Sequence, residues 1–331
     1  MASLFPRAAA QFEAVADRLR AAEKVSVVAH VKPDADAVGS ACALVGGLRQ
    51  LGVDASAHIG QPLPHSANLR TVPGVDEIAY GTPLPKDGLV VTVDCASVDR
   101  TGAFQPAIEA DPSRVVVIDH HKTNPGFGGL NLIVDSESTT TMIRELFAYL
   151  GVELDTDLAY CLYAGLVTDT GSFRWGSPRM HALAGELMGY GLNTRQIALD
   201  LMDTMSAVDL QLMGAVLAET QIIPAHGLDI AVLTIPLPLH ARMSQTAVEA
   251  VIDYARALEG TDVGVVLKQQ APEYWALSLR STVVDVSRVA ARLGGGGHRA
   301  AAGYSAAGSR EEIVRELIDA IPEPTAPQPQ A

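Results

Sequence analysis

Cysteine is nearly missing from this chain. Cys42, Cys95 and Cys161 are all that occur in 331 residues, and no two of them form a Cys-x-x-Cys pair. That argues against thiolate-held zinc and fits a reducing, cytoplasmic setting. Aromatic residues make up only 5%; a core of Ala, Val and Leu suits helices packed on a sheet. Long apolar runs are also lacking. None reaches the roughly 18–20 residues that a membrane span needs. Residues 1–24 carry Glu13, Asp17 and Glu23 and have no basic start followed by an apolar block, so they read as an amphipathic helix and not as a signal peptide. Positive charge is in deficit, at 24 Lys and Arg against 38 Asp and Glu, a formal net charge of −14. Such a balance argues against a non-specific grip on long duplex nucleic acid. Small anionic substrates stay open, because metals and a few local cations invert the sign inside a cleft.

What is present is a chain long enough for two domains, 48% hydrophobic, with β-branched runs alternating with helical patterns. Val25–Ala29, Leu89–Val93, Arg114–Ile118 and Leu130–Val134 read as buried strands, with helices over about Asp36–Leu51 and Thr140–Leu150. That alternation predicts an α/β fold, a parallel sheet covered by helices on both faces. The predicted division is a catalytic domain over 1–192, a helical connector over 193–220, a smaller α/β domain with a mixed sheet over 221–321, a cleft between the two domains, and a disordered Pro-rich tail over 322–331. In the smaller domain Leu228–Ile235 reads as a strand, Thr246-x-x-Glu249 as a capping box, and Ala271-Pro272 as a hairpin turn. A short helix ends at the Gly294–Gly297 loop, and Ser309-x-x-Glu312 caps the last helix.

Six residues, His30, Asp34, Asp36, Asp94, His120 and Asp169, carry the chemistry. His30, Asp34 and Asp36 lie in one turn after a strand, Asp94 and Asp119-His120-His121 follow two others, and Asp169 follows an apolar run readable as strand or buried helix. In parallel sheets ligands collect at the carboxyl ends of strands, where three of these strings fall. Taken singly, Asp34 and Asp36 are equally good helix caps, and His30 and His120 ordinary strand-end histidines. Taken together, four carboxylates within about 4 Å of one another repel by roughly 4 kcal/mol per pair at an effective dielectric of 20, and bound cations relieve that. Imidazole and carboxylate donors suit manganese, magnesium, cobalt or iron(II) better than structural zinc. Two such ions about 3.5–4 Å apart lower the pKa of a shared water and set it against a phosphate ester.

The strings His30-x-x-Pro33-Asp34-x-Asp36-Ala37-x-Gly39-Ser40, Val93-Asp94, Asp119-His120-His121, Thr168-Asp169-Thr170-Gly171 and Gly294-Gly-Gly-Gly-His298 together resemble the DHH phosphoesterase family. The likeness is to its branch of short oligoribonucleases and 3′-phosphoadenosine-5′-phosphate (pAp) phosphatases, which carry a DHH-associated C-terminal domain. The resemblance implies two manganese ions, with Mg²⁺ or Co²⁺ as substitutes. One would be held by His30, Asp34 and Asp94, the other by Asp36, Asp94, His120 and Asp169, so that Asp94 bridges. It further implies that Asp119 orients a neighbouring ligand and that His121 faces the substrate phosphate. Arg280, Gly295, Gly296, Gly297, His298 and Arg299 would bind substrate. The expected substrates are short RNA, dinucleotides and pAp. The alternative is a phosphodiesterase for cyclic or linear dinucleotides such as cyclic di-AMP; a pyrophosphatase and a non-catalytic nucleotide sensor are lesser readings. A homodimer is compatible with the sequence. His58, His65, His181, His226 and His240 match no motif and read as structural or solvated.

Overall fold

The structure is a computed structural model that describes residues 3–203 and 205–322. The chain divides into two compact units, Met1–Thr204 and Met205–Ala331. The division falls inside the stretch expected to connect them. Of the expected tail, only Pro322 belongs to the described residues.

The first unit runs α1 (Ala9–Arg20), β1 (Lys24–Ala29), α2 (Ala35–Gln50), β2 (Asp54–Ile59), β3 (Ala79–Tyr80), β4 (Leu89–Val93), α3 (Gln105–Ala110), β5 (Val115–Asp119), β6 (Leu130–Ile133), α4 (Thr139–Leu150), α5 (Thr156–Asp169), α6 (Pro178–Met188) and α7 (Thr194–Ala198). The strands form one sheet in the order β3-β2-β1-β4-β5-β6, parallel at every pairing. Strand order reverses between β1 and β4, which opens a crevice at their carboxyl ends. On one face Phe12, Leu44, Met142 and Phe147 from α1, α2 and α4 are completely buried, each worth about 1.5–3 kcal/mol by apolar burial. Phe104 and Ile108 cover Val28, Val90, Val115 and Val117 on the other. Asp169, placed by sequence after a strand or a helix, ends helix α5.

Helices α2 and α5 approach closely because glycines line their contact. A Cβ on Gly39 would stand 2.4 Å from the Cys161 carbonyl oxygen, and one on Gly165 would stand 2.4 Å from Asp36 Oδ1. This crossing brings the start of α2, which carries Asp36, against the end of α5, which carries Asp169.

The second unit contains α8 (Ala207–Ala218), β7 (Gln221–Ala225), β8 (Leu228–Ile235), α9 (Leu237–His240), α10 (Gln245–Ala257), β9 (Val263–Ala271), β10 (Tyr274–Ser281), α11 (Val286–Arg292), β11 (Gly296–His298), β12 (Ala301–Ala307) and α12 (Arg310–Ala320). Its sheet runs β11-β12-β10-β9-β8-β7. It is mixed, with β8 and β9 parallel and the other pairs antiparallel. Ser309 and Glu312 form the expected capping box. The one expected at Thr246 does not form. Ser244 caps α10 instead, accepting from Ala247 N, and Glu249 turns to the nearly buried Lys268 ammonium at 2.8 and 2.9 Å. That ammonium needs a counter-charge more than an exposed helix end needs a second cap. The glycine run is also more ordered than a loop. Gly294 ends α11 at φ 81°, and Gly296 and Gly297 enter β11. Among the described residues no single helix is long and apolar enough to cross a membrane.

Candidate metal centre

Each expected metal ligand sits at a carboxyl-end rim of the first sheet or at a helix end beside it. β1 stops at Ala29 and delivers His30. Asp34 then caps α2, its Oδ1 accepting from Asp36 N and Ala37 N at 3.1 and 3.0 Å, so capping and site geometry come from one residue. β4 stops at Val93, and Asp94 takes a left-handed backbone at φ 59°. Aspartate tolerates that conformation better than most residues, and it turns the carboxylate over the rim. Asp119 ends β5 and sets His120 and His121 beside it.

The side chains converge on Asp94. Its Oδ2 lies 3.5 Å from His30 Nε2, which is itself 3.6 Å from Asp34 Oδ2. Its Oδ1 lies 3.4 Å from His120 Nε2, which reaches Asp169 Oδ2 at 3.1 Å and Asp36 Oδ2 at 3.9 Å. One carboxylate thus faces two imidazoles with different oxygens. The ligating atoms of His30, Asp34 and Asp94 lie within 4.8 Å of one another, as do those of Asp36, Asp94 and His120. All six expected ligands are brought together.

The surroundings of the two histidines admit the ligating tautomer. His30 Nδ1 is 2.9 Å from the Val31 carbonyl and His120 Nδ1 is 3.2 Å from the Ser136 carbonyl. A proton on each Nδ1 would donate there and leave the Nε2 lone pair directed at the carboxylates. His121 Nδ1 lies 2.8 Å from Asp119 Oδ1, and Asp119 Oδ2 accepts from Asn124 Nδ2 at 2.7 Å. Asp119, expected to orient a neighbouring metal ligand, is bonded to His121, which is not among the six expected ligands.

Burial works against every charge here. It drives Asp36 well above the usual carboxylate range, with the Asp94 and Asp169 charges adding to it, and it also raises Asp169. Burial pushes Asp94 up too, but hydrogen bonds from His120 and His30 hold it well below its ordinary value. For His30, burial and the Arg100 guanidinium pull downward, and the Asp34 and Asp94 carboxylates override them, raising it to about 10. Burial likewise opposes His120, and Asp169 and Asp94 carry it well above the usual histidine range. Protons and divalent cations therefore compete for the same excess of negative charge. Nitrogen and oxygen donors without thiolate fit two hard divalent ions.

Sequence reasoning overlooked the groups that support these ligands. Thr139 N and Thr140 N donate to Asp36 Oδ2 and Oδ1 at 2.7 and 3.0 Å, and the Thr140 hydroxyl adds a third bond at 2.8 Å. The hydroxyl run Ser138–Thr141 at the start of an apolar helix was the available signal, since buried hydroxyls need polar partners. Arg100 Nη2 lies 3.0 Å from the same His30 Nδ1, where it competes with the Val31 carbonyl for that nitrogen, and its charge favours the uncharged ring; nothing in its sequence context marks it.

In the second unit, Arg280 and His298 both pair with Ala301, one on each side of β12, so all three side chains share a sheet face. The next row on that face is Ser278, Gly303 and Gly296, a strip almost bare of side chains. The opposite face buries Leu277, Leu279, Ala302 and Tyr304. Glycine is required here by the fold itself. A Cβ on Gly295 would stand 2.1 Å from the Gly303 carbonyl oxygen, and Gly297 has φ 138°. Arg299 lies in the exposed turn between β11 and β12. The five unassigned histidines stay outside the six-residue cluster. His58 is buried beside Ser56, and His65 meets the Tyr80 hydroxyl at 2.7 Å.

Comparison with known proteins agrees with both halves. Residues 24–166 match the DHH family N-terminal domain and residues 227–323 match the DHHA1 domain. The bifunctional oligoribonuclease and PAP phosphatase NrnA of Thermus thermophilus is 32% identical over 96% of this chain and 95% of its own. The cyclic-di-AMP phosphodiesterase GdpP of Geobacillus thermodenitrificans is 28% identical over 92% of this chain but only 48% of its own. The crystal structure of an exopolyphosphatase-related protein from Bacteroides fragilis superposes with a TM-score of 0.80 at 23% identity, over 94% of this chain and 95% of that one.

Proposed function

This chain belongs to the DHH family of phosphoesterases, with a DHHA1 domain behind the catalytic one, and from that premise we propose that it hydrolyses short oligoribonucleotides to mononucleotides and removes the 3′-phosphate of pAp. It is a metal-dependent hydrolase of phosphate esters, and we assign manganese as its metal. The observation that carries the reading is Asp94, one buried carboxylate whose two oxygens face two separate imidazole-carboxylate groups. Two divalent cations bound there would polarise a phosphoryl oxygen and lower the pKa of a shared water.

The protein's own groups do the rest. His30, Asp34 and Asp94 form one ligand set and Asp36, Asp94, His120 and Asp169 the other. The Ser136 carbonyl favours the ligating tautomer of His120, and the Val31 carbonyl offers the same to His30. His121, oriented through Nδ1 by Asp119 and held in turn by Asn124, presents Nε2 to the substrate phosphate. Four aspartates nearly balance two dications, so an anionic substrate needs further positive charge. Arg280, His298 and Arg299 are the candidates to supply it, and the neighbouring row of Ser278, Gly303 and Gly296 would let a phosphate or sugar approach the backbone. Support for short substrates over cyclic dinucleotides comes from the near-complete match to NrnA, against the half-length match to GdpP.

A manganese-supplemented panel of pAp, a diribonucleotide, a longer oligoribonucleotide and cyclic di-AMP, with products resolved by chromatography, tests the assignment. Mononucleotides from the dinucleotide and phosphate from pAp are expected. Turnover of cyclic di-AMP alone would replace it with the signalling reading, and nucleotide binding without any product would make the protein a sensor.

A further inference from the structure

Ser138, Thr139, Thr140 and Thr141 are completely buried at the start of α4. Helix capping accounts for Ser138, whose Oγ accepts from Thr141 N at 3.1 Å, and Thr140 reaches one carboxylate, Asp36, besides sharing a 2.8 Å hydroxyl contact with Ser138. Thr139 is different, for it bonds two carboxylates, Asp36 of the second ligand set and Asp94, which the two sets share. Its N–H donates to Asp36 Oδ2 at 2.7 Å, and its hydroxyl donates to Asp94 Oδ1 at 3.0 Å.

A carboxylate between two cations has two choices. It can give one oxygen to each, or turn and chelate a single ion with both. Asp94 is set for the first, with Oδ2 toward His30 and Oδ1 toward His120. A hydroxyl donated to Oδ1 resists the turn, because rotation would break a charge-assisted bond and strand a buried hydroxyl. Thr139 is β-branched and held in the first turn of a helix, so its hydroxyl has little freedom to follow. We propose that Thr139 is a positioning residue that locks Asp94 in its bridging orientation and so couples occupancy of the two cation sites. The inference rests on the two-cation reading above.

The experiment compares wild type with Thr139→Val, which keeps shape and the backbone N–H but removes the hydroxyl, and with Thr139→Ser, which restores it. Mn²⁺ binding is measured by calorimetry, and the loaded proteins are examined by electron paramagnetic resonance. Wild type should take two Mn²⁺ and show a spin-coupled spectrum. Thr139→Val should bind the second ion ten- to a hundred-fold more weakly, show the six-line signal of isolated Mn²⁺ at two equivalents, and lose kcat with little change in KM. Thr139→Ser should recover both within a few-fold. Two ions bound by Thr139→Val at wild-type affinity, with the coupled spectrum intact, would overturn the lock. Fewer than two ions in wild type would overturn the two-cation reading itself. If circular dichroism shows Thr139→Val unfolded, Thr139→Ala carries the same comparison against the serine variant.

Discussion

Replacing Asp94 by asparagine removes one negative charge from the point where both ligand sets meet and changes the side-chain shape hardly at all. In the protein that carboxylate faces His30 Nε2 at 3.5 Å and His120 Nε2 at 3.4 Å, and it accepts the Thr139 hydroxyl at 3.0 Å. A unit charge pair about 4 Å apart at an effective dielectric of 20 is worth roughly 4 kcal/mol, which is about three decades in an equilibrium or rate constant. The amide also places an N–H₂ donor where one of the two cations needs an acceptor. Asp94→Asn should therefore cut phosphate release from pAp by about a thousand-fold or more and reduce bound Mn²⁺ from two to one or none. The fold should persist, because removing a buried charge relieves its desolvation as well as its attractions. Phosphate release under saturating Mn²⁺, metal stoichiometry by elemental analysis, and circular dichroism are the three readouts. Near-normal turnover by a folded Asp94→Asn protein would refute the bridging role and with it the two-ion chemistry.

Gly165→Ala would place a methyl 2.4 Å from Asp36 Oδ1 and 2.5 Å from the Thr140 hydroxyl. An overpacking cost of about 1–3 kcal/mol should appear as a lower melting temperature together with weaker Mn²⁺ binding, and a variant unchanged in both would contradict the tight crossing of α2 and α5. His298→Ala should raise KM for a dinucleotide several-fold while sparing kcat and metal content; unchanged KM rejects its substrate role. His30 is raised from 6.5 to about 10, so the stability it contributes without bound cations is complete below about pH 6.5 and is lost as pH rises through 10. The same proton must leave before Nε2 can ligate. Mn²⁺ uptake should thus tighten between about pH 6.5 and 8.5 and release protons, seen as buffer-dependent heats in calorimetry; affinity flat with pH would contradict the linkage.

Much of the candidate centre is legible in the sequence because most of its residues are local to strand ends. Val25–Ala29, Leu89–Val93 and Leu228–Ile235 are near-continuous apolar runs of strand length, interrupted only by Ser26, Thr92, Asp229 and Thr234, the pattern a buried strand leaves. His30, Asp94 and Asp119–His121 follow such runs immediately, so finding the strands located the residues at their carboxyl ends. Asp169 was harder. The apolar run before it satisfied strand and helix alike, and its place depends on α5 lying against α2. The Thr246 box failed for a related reason. A capping motif competes with whatever else its glutamate can reach, and Lys268, two strands' worth of chain away, took Glu249.

Sequence alone, then, determined which chemistry the chain carries: the phosphoesterase family, the candidate ligands and the strands that end at them. Tertiary structure decided how those ligands act together. That Asp94 offers one oxygen to each imidazole, that Thr139 and Thr140 brace Asp36, that Gly165 makes room for its carboxylate, and that Arg280 and His298 flank one alanine are relations between segments distant in the chain. Periodicity and spacing report a residue's own backbone. Contacts of a few ångströms across helices and strands arise only when packing closes the distance.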